Sequence, residues 1–143
     1  MIDADAETRE ADRCAIVVAA DLPAGRAANA AAVIALTLGR LRPDLVGGDL
    51  VDGSGVAHPG LIPIGVAVLA APTAELGAVR AKALARDILV VDFPLQGQQT
   101  NDYLAFSAAV AARSTETLAY VGVGLVGSRK AIGKVVGRYG LLR

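Results

Sequence analysis

Apolar and polar positions divide this chain into short, well-punctuated blocks. Cys14–Ala20 is an unbroken apolar run of strand length, ended by a turn containing Pro23 and Gly25. An unbroken run of that length predicts a strand covered on both faces. From about Ala24 to Gly39 the pattern is helical, and between Arg26 and Thr37 only Asn29 is polar. A helix apolar on nearly every side is expected to be buried on nearly every side. Residues 42–60 are rich in Gly, Asp and Pro, the residues of turns, with a short hairpin expected around Leu50–Val51 and Val56–Ala57.

Leu61–Leu69 reads as a second strand. The stretch from Pro72 to about Arg86 reads as a helix burying Leu76, Val79, Ala83 and Leu84 and exposing Arg80, Lys82 and Arg86. A third strand, Asp87–Phe93, leads to a loop or short helical turn over Pro94–Asn101. A helix through Tyr103, Phe106, Val110 and Ala111 comes next, with Thr100 or Asn101 expected as its N-cap. Leu118–Val126 is a fourth strand and Ser128–Val136 a short basic helix. Gly137 suits its C-cap, and Leu141-Leu142 reads as a tail docked on the core. The alternation predicts one three-layer α-β-α domain over residues 14–143. Its sheet should be mixed, mostly parallel, of about four strands with room for one antiparallel strand, preceded by a flexible acidic segment, residues 1–13.

Composition narrows the picture. Hydrophobic residues make up 54% of the 143 and charged residues 20%, enough for a core and too apolar for disorder. Aromatics are only 3%, with few flat faces for stacking bases. Mean hydropathy is +0.50, yet the longest run without Asp, Glu, Lys or Arg, Gly53–Ala74, is broken by Pro59, Gly60, Pro63, Gly65 and Pro72. No membrane span is expected, and with an acidic N-terminus the reading is a cytoplasmic protein. Net charge is zero but unevenly spread. Residues 1–13 hold five acids and two bases, while residues 103–143 hold six bases and only Glu116.

Several familiar patterns are present in form only. Gly122-Val-Gly124-Leu-Val-Gly127 is a literal G-x-G-x-x-G, but only 16 residues lie beyond it and none is acidic, so close packing of the last strand explains it better than a dinucleotide. One His and one Cys leave no zinc site, and Asp44, Asp49 and Asp52 lack the spacing of a calcium loop, so no metal or cofactor is expected. His58, in a His-Pro-Gly turn, reads as a surface residue and Cys14 as core.

Three polar groups remain. Asp21, Arg26 and Asn29 come after the first strand, where α/β proteins commonly place ligands. Asp92 ends the third strand, with Gln96, Gln98, Gln99, Thr100, Asn101 and Asp102 just beyond it. Arg129, Lys130 and Lys134, beside Ser128, are candidates for an anion or phosphate.

Asp21-Leu22, a Gly-and-basic turn and Ala27-Ala28-Asn29-Ala30-Ala31 resemble the opening of the type II (archaeal and eukaryotic) peptidyl-tRNA hydrolases. Lys134-Val135-Val136-Gly137-Arg138-Tyr139-Gly140-Leu141-Leu142 resembles their closing segment. Asp92 and Thr100 fall where that family has Asp-Ala-Gly-Arg-Thr-Gln. Asp-Leu-Pro-Ala-Gly with Ala-Ala-Asn, and Val-Val-Asp-Phe-Pro, resemble more closely the domain-of-unknown-function two-thousand family, an uncharacterised bacterial group similar to the hydrolases in fold. The resemblance implies helices on both sides of a four-stranded sheet. It also implies a hydrolase reading, with Asp92 orienting water or a hydroxyl and Thr100 donating to a carbonyl. The hydrolases' lysine has no counterpart, however; Arg26 is the only base in that turn and does not exchange protons at neutral pH. An RNA partner is disfavoured by the zero net charge. Two functional readings stand, a module binding a small anionic or amide-bearing ligand and an esterase or amidase acting on a peptidyl-tRNA-like bond. A homo-oligomer through apolar helix faces is a third.

Overall fold

The structure, a computed structural model, describes residues 12–143; the acidic segment up to residue 11 lies outside the described residues. Strands β1 (Asp12–Ala19), β4 (Ala67–Ala71), β5 (Leu89–Pro94) and β6 (Tyr120–Ser128) form one sheet in the order β4-β1-β6-β5. β1 runs parallel to β4, and β6 runs antiparallel to both β1 and β5. Three strands therefore point one way. The reversed strand lies inside the sheet, so two of the three ladders are antiparallel and the mostly parallel pairing expected from the alternation does not form. Strand β1 starts at Asp12, which puts Asp12 and Arg13 in the sheet and not in the segment before it.

Helix α1 (Ala24–Leu41) covers one face. Its buried residues Ala27, Ala30, Ile34 and Leu38 pack with Cys14, Ile16, Val18, Phe93, Val121 and Val126. Helices α2 (Leu76–Leu84) and α5 (Arg129–Val136) cover the other face, where Leu76, Val79, Ala83, Ile132, Val135 and Val136 meet Ala15, Val17, Val123 and Leu125. Successive β1 side chains thus alternate between two cores, which explains the unbroken apolar run. The layers are helix, sheet, helix.

Several boundaries depart from the sequence reading, for identifiable reasons. Residues 61–66 are not strand, because Pro63 has no N–H to give a ladder and Gly65 sits in a turn at φ +72°. Helix α1 buries a single stripe and leaves Val33 and Leu36 exposed, the latter at 79%. On α2, Leu76, Val79 and Ala83 are buried and Lys82 and Arg86 exposed as expected, but Leu84 is exposed and Arg80 half-buried. The small hairpin pairs β2 (Leu50–Val51) with β3 (Ala57–His58), one residue later than expected. The tail docks as anticipated: Leu142 N–H donates to the Val68 carbonyl at 2.9 Å and Ala70 N–H to the Gly140 carbonyl at 3.0 Å, covering the outer edge of β4.

The glycines of β6 account for how closely α1 approaches. A Cβ at Gly122 would lie 2.8 Å from Ile34 Cδ1, and one at Gly124 would overlap Ile34 and sit 3.0 Å from Leu38 Cδ1. The G-x-G pattern is a packing device.

Candidate functional site

The helices that leave the adjacent parallel strands β1 and β4 go to opposite faces, which makes the carboxyl ends of these strands the topological switch point of the sheet. Asp21 and Thr73 bridge it: the Thr73 hydroxyl donates to Asp21 Oδ1 at 2.8 Å. Below it, Glu75 pairs with Arg138 and accepts from the Tyr139 hydroxyl at 3.1 Å, while Arg138 stacks over the Tyr139 ring at 5.1 Å. These contacts tie the residues after α5 to the start of α2.

On the α1 side, the turn after β5 forms the short helix α3 (Gln96–Gln99), which leads into α4 (Tyr103–Ala111). Asp102, not Thr100 or Asn101, caps α4, its Oδ1 accepting from Ala105 N–H at 2.7 Å. Gln98 reaches across to α1, where its Nε2 donates to the Arg26 carbonyl at 2.8 Å and to Asn29 Oδ1 at 3.2 Å. The Arg26 carbonyl is only an acceptor, which fixes the Gln98 amide with its nitrogen toward α1. Its Oε1 is left buried with no partner, as is Gln96 Oε1. The Arg26 guanidinium is exposed and makes no ion pair among the described residues.

One helical turn beyond Asn29, α1, β5 and α4 enclose a groove of about 400 Å³. Val33, Ile34, Val91, Phe93, Phe106 and Val110 make it mostly apolar, and Thr37, Tyr103 and Ser107 supply hydroxyls. The size and the mixture are those of a small-molecule cleft. Phe106 packs against Phe93 at 6.2 Å and Tyr103 at 5.9 Å between ring centroids. Gly97 permits this contact, since a Cβ there would run into Phe93. No residue of α4 is fully buried, and Tyr103 and Leu104 are more than 80% exposed.

Asp92 borders this groove from the strand edge, but its carboxylate turns to the opposite face. There Arg80 Nε donates to Asp92 Oδ2 at 2.7 Å, and the guanidinium lies 5.9 Å from the Tyr120 ring centroid. Alternation along β5 dictates this, because Val91 and Phe93 pack toward α1. The bond to Asp92 raises the Arg80 pKa, and burial raises that of the Tyr120 phenol. Thr100 donates its hydroxyl to the Gln96 carbonyl at 2.8 Å. Asp92 and Thr100 thus each have a partner within the fold, while Arg26, Asn29 and Gln98 are brought together. Arg80 escapes sequence reasoning because nothing local distinguishes it from the solvated Lys82. The groove aromatics do leave a trace, as Tyr103-Leu-Ala-Phe106 is apolar on every side of a short helix.

Among the described residues no group of three His, Cys, Asp or Glu is placed to hold a metal ion, and no helix is long and apolar enough to cross a membrane.

The family model for proteins of unknown function, DUF2000, matches residues 12–143, and the chain belongs to that family. A solved structure of a protein of unknown function from Agrobacterium tumefaciens str. C58 has the same fold, with a TM-score of 0.83 at 21% identity over 92% of this chain and 97% of that one. No curated protein matches in sequence.

Proposed function

We propose that the chain binds a small ligand, an apolar body carrying an amide or anionic head, in the groove between α1, β5 and α4. The observation that carries this reading is the groove itself: about 400 Å³, apolar walls, three hydroxyls, with the exposed Asn29 one turn and the exposed Arg26 two turns beyond its end along α1. An apolar cleft supplies affinity by burial, and a few polar groups at one end set the orientation of the ligand. Arg26 suits a carboxylate or phosphate head, and the Asn29 amide suits another amide.

Thermal-shift and ligand-observed NMR screens of small aromatic and aliphatic amides and acids test the reading. Binding should stabilise the native chain, be blocked by Val33→Trp, which fills the groove from an exposed position, and for acidic ligands weaken in Arg26→Ala. A flat screen, or binding indifferent to Val33→Trp, overturns it. The alternative is an esterase or amidase acting on a peptidyl-tRNA-like bond through Asp92 and Thr100. The hold of Arg80 on Asp92 and of the Gln96 carbonyl on Thr100 favours binding over hydrolysis. Cleavage of peptidyl-tRNA that is abolished by Asp92→Asn would reverse that preference.

A further inference from the structure

The far end of the sheet carries a surface of another kind. Arg86, just past the end of α2, and Lys130 and Lys134, one turn apart on α5, line a single depression of about 190 Å³ together with Ser128 and Ala131. All three cations are exposed, and none forms an ion pair among the described residues. Among the described residues the Arg86 guanidinium donates to the Lys82 carbonyl alone, at 3.3 Å. Of the acids at this end, Asp12, opposite Ser128 in the ladder, is taken by Arg42 at 3.1 Å. Asp87, exposed beside Arg86, is not part of the lining. Arg13, opposite Gly127, and Arg129 add positive charge nearby.

Packing does not demand this clustering. Helix α5 is anchored by Ile132, Val135 and Val136, so its lysines have the whole solvent side available. Three like charges, two on α5 and one in the turn after α2, around one small space repel each other until an anion enters, and an anion there is attracted by all three at once. The Ser128 hydroxyl accepts from Ala131 N–H at 3.1 Å, which leaves its own proton free to donate.

We propose that this depression binds the phosphoryl group of a small soluble phosphomonoester. Two lysine point charges, an arginine fork and a hydroxyl donor match a tetrahedral dianion better than a planar, singly charged carboxylate. The site is separate from the groove and draws on different residues: Arg86 belongs to it, and Arg129 lies outside its lining.

The test is an amide NMR titration of the full chain with inorganic phosphate and with glycerol 3-phosphate, at constant ionic strength against chloride. Asp3, Asp5, Glu7 and Glu10 are then present, so any competition from them falls within the measured affinity. Saturable shifts are expected at Arg86, Ser128, Lys130, Ala131 and Lys134, with affinity falling at least tenfold in the Lys130→Ala/Lys134→Ala and Arg86→Ala variants. These side chains are exposed, so the melting temperature should hold and the comparison stay clean. Shifts that fail to saturate, match chloride or survive the substitutions overturn the proposal. So does sedimentation with anionic-lipid vesicles in the absence of any soluble-phosphate response, which would make the patch a membrane-contact surface.

Discussion

Ile34 of α1 rests directly on the bare backbone of Gly124 in β6, where any side chain would collide with it. The contact sets the spacing between helix and sheet beside the groove floor. Gly124→Ala should therefore destabilise the fold by about 1–3 kcal/mol through overpacking. Urea denaturation measures this. An unchanged midpoint would show that α1 has slack. Gly133→Ala on α5 is the control, because a Cβ there meets nothing within 4 Å.

The Arg80–Asp92 pair is predicted to act as a structural clamp. Both side chains are about a quarter to a third exposed, at 26% and 30%, so screening leaves the pair worth about 1 kcal/mol. A double-mutant cycle with Arg80→Gln and Asp92→Asn should give a coupling energy of about 0.5–1.5 kcal/mol. Zero coupling would mean that the two residues do not depend on each other and that Asp92 is held for another purpose.

The α3–α4 arm is predicted to be the part of the fold that opens most readily. Gln98 is its polar tie to α1, and its own Oε1 has no partner, so the tie is a weak one. Gln98→Ala should speed amide exchange over residues 96–111 about 3- to 10-fold, the equivalent of one net hydrogen bond. Exchange in β1 and β6 should not change. Faster exchange everywhere would instead mark Gln98 as a global stabiliser.

The 50–58 hairpin is predicted to loosen in acid. Asp52 is held below its ordinary pKa by the bond to His58 Nε2 at 2.8 Å and by the Val56 and Ser54 N–H groups. Its contribution is therefore fully present above the unfolded value of about 3.9 and disappears as pH falls through the lower folded value. Carboxyl NMR should show Asp52 titrating below an ordinary aspartate, with the hairpin amides tracking it. A normal Asp52 titration sinks the idea, and Asp52→Asn should abolish the pH response.

Much of the fold is legible in the chain. Continuous apolar runs mark strands, so β1, β5 and β6 fall within two residues of their expected limits. The G-x-G-x-x-G stretch, expected to serve close packing of the strand, does so at Gly122 and Gly124 against Ile34. The position of β6 is not legible, since alternation along a chain does not encode which neighbours a strand takes. The exposed side of α1 escapes the sequence because alanine is compatible with both burial and solvent. Of the candidate site, Arg26 and Asn29 are readable from their place after a strand, whereas the reach of Gln98 across about 70 residues of sequence and the turning of Asp92 toward Arg80 are tertiary facts.

The strand that joins both halves of the sheet is also the last of its four strands in chain order. Until β6 emerges, β5 has no hydrogen-bonded neighbour and β1 offers a naked flank beside its ladder with β4. A nascent chain at that point is vulnerable to pairing with other molecules. Productive folding of the sheet must therefore wait for Tyr120–Ser128. Early termination upstream of them should yield aggregate, not a smaller working protein.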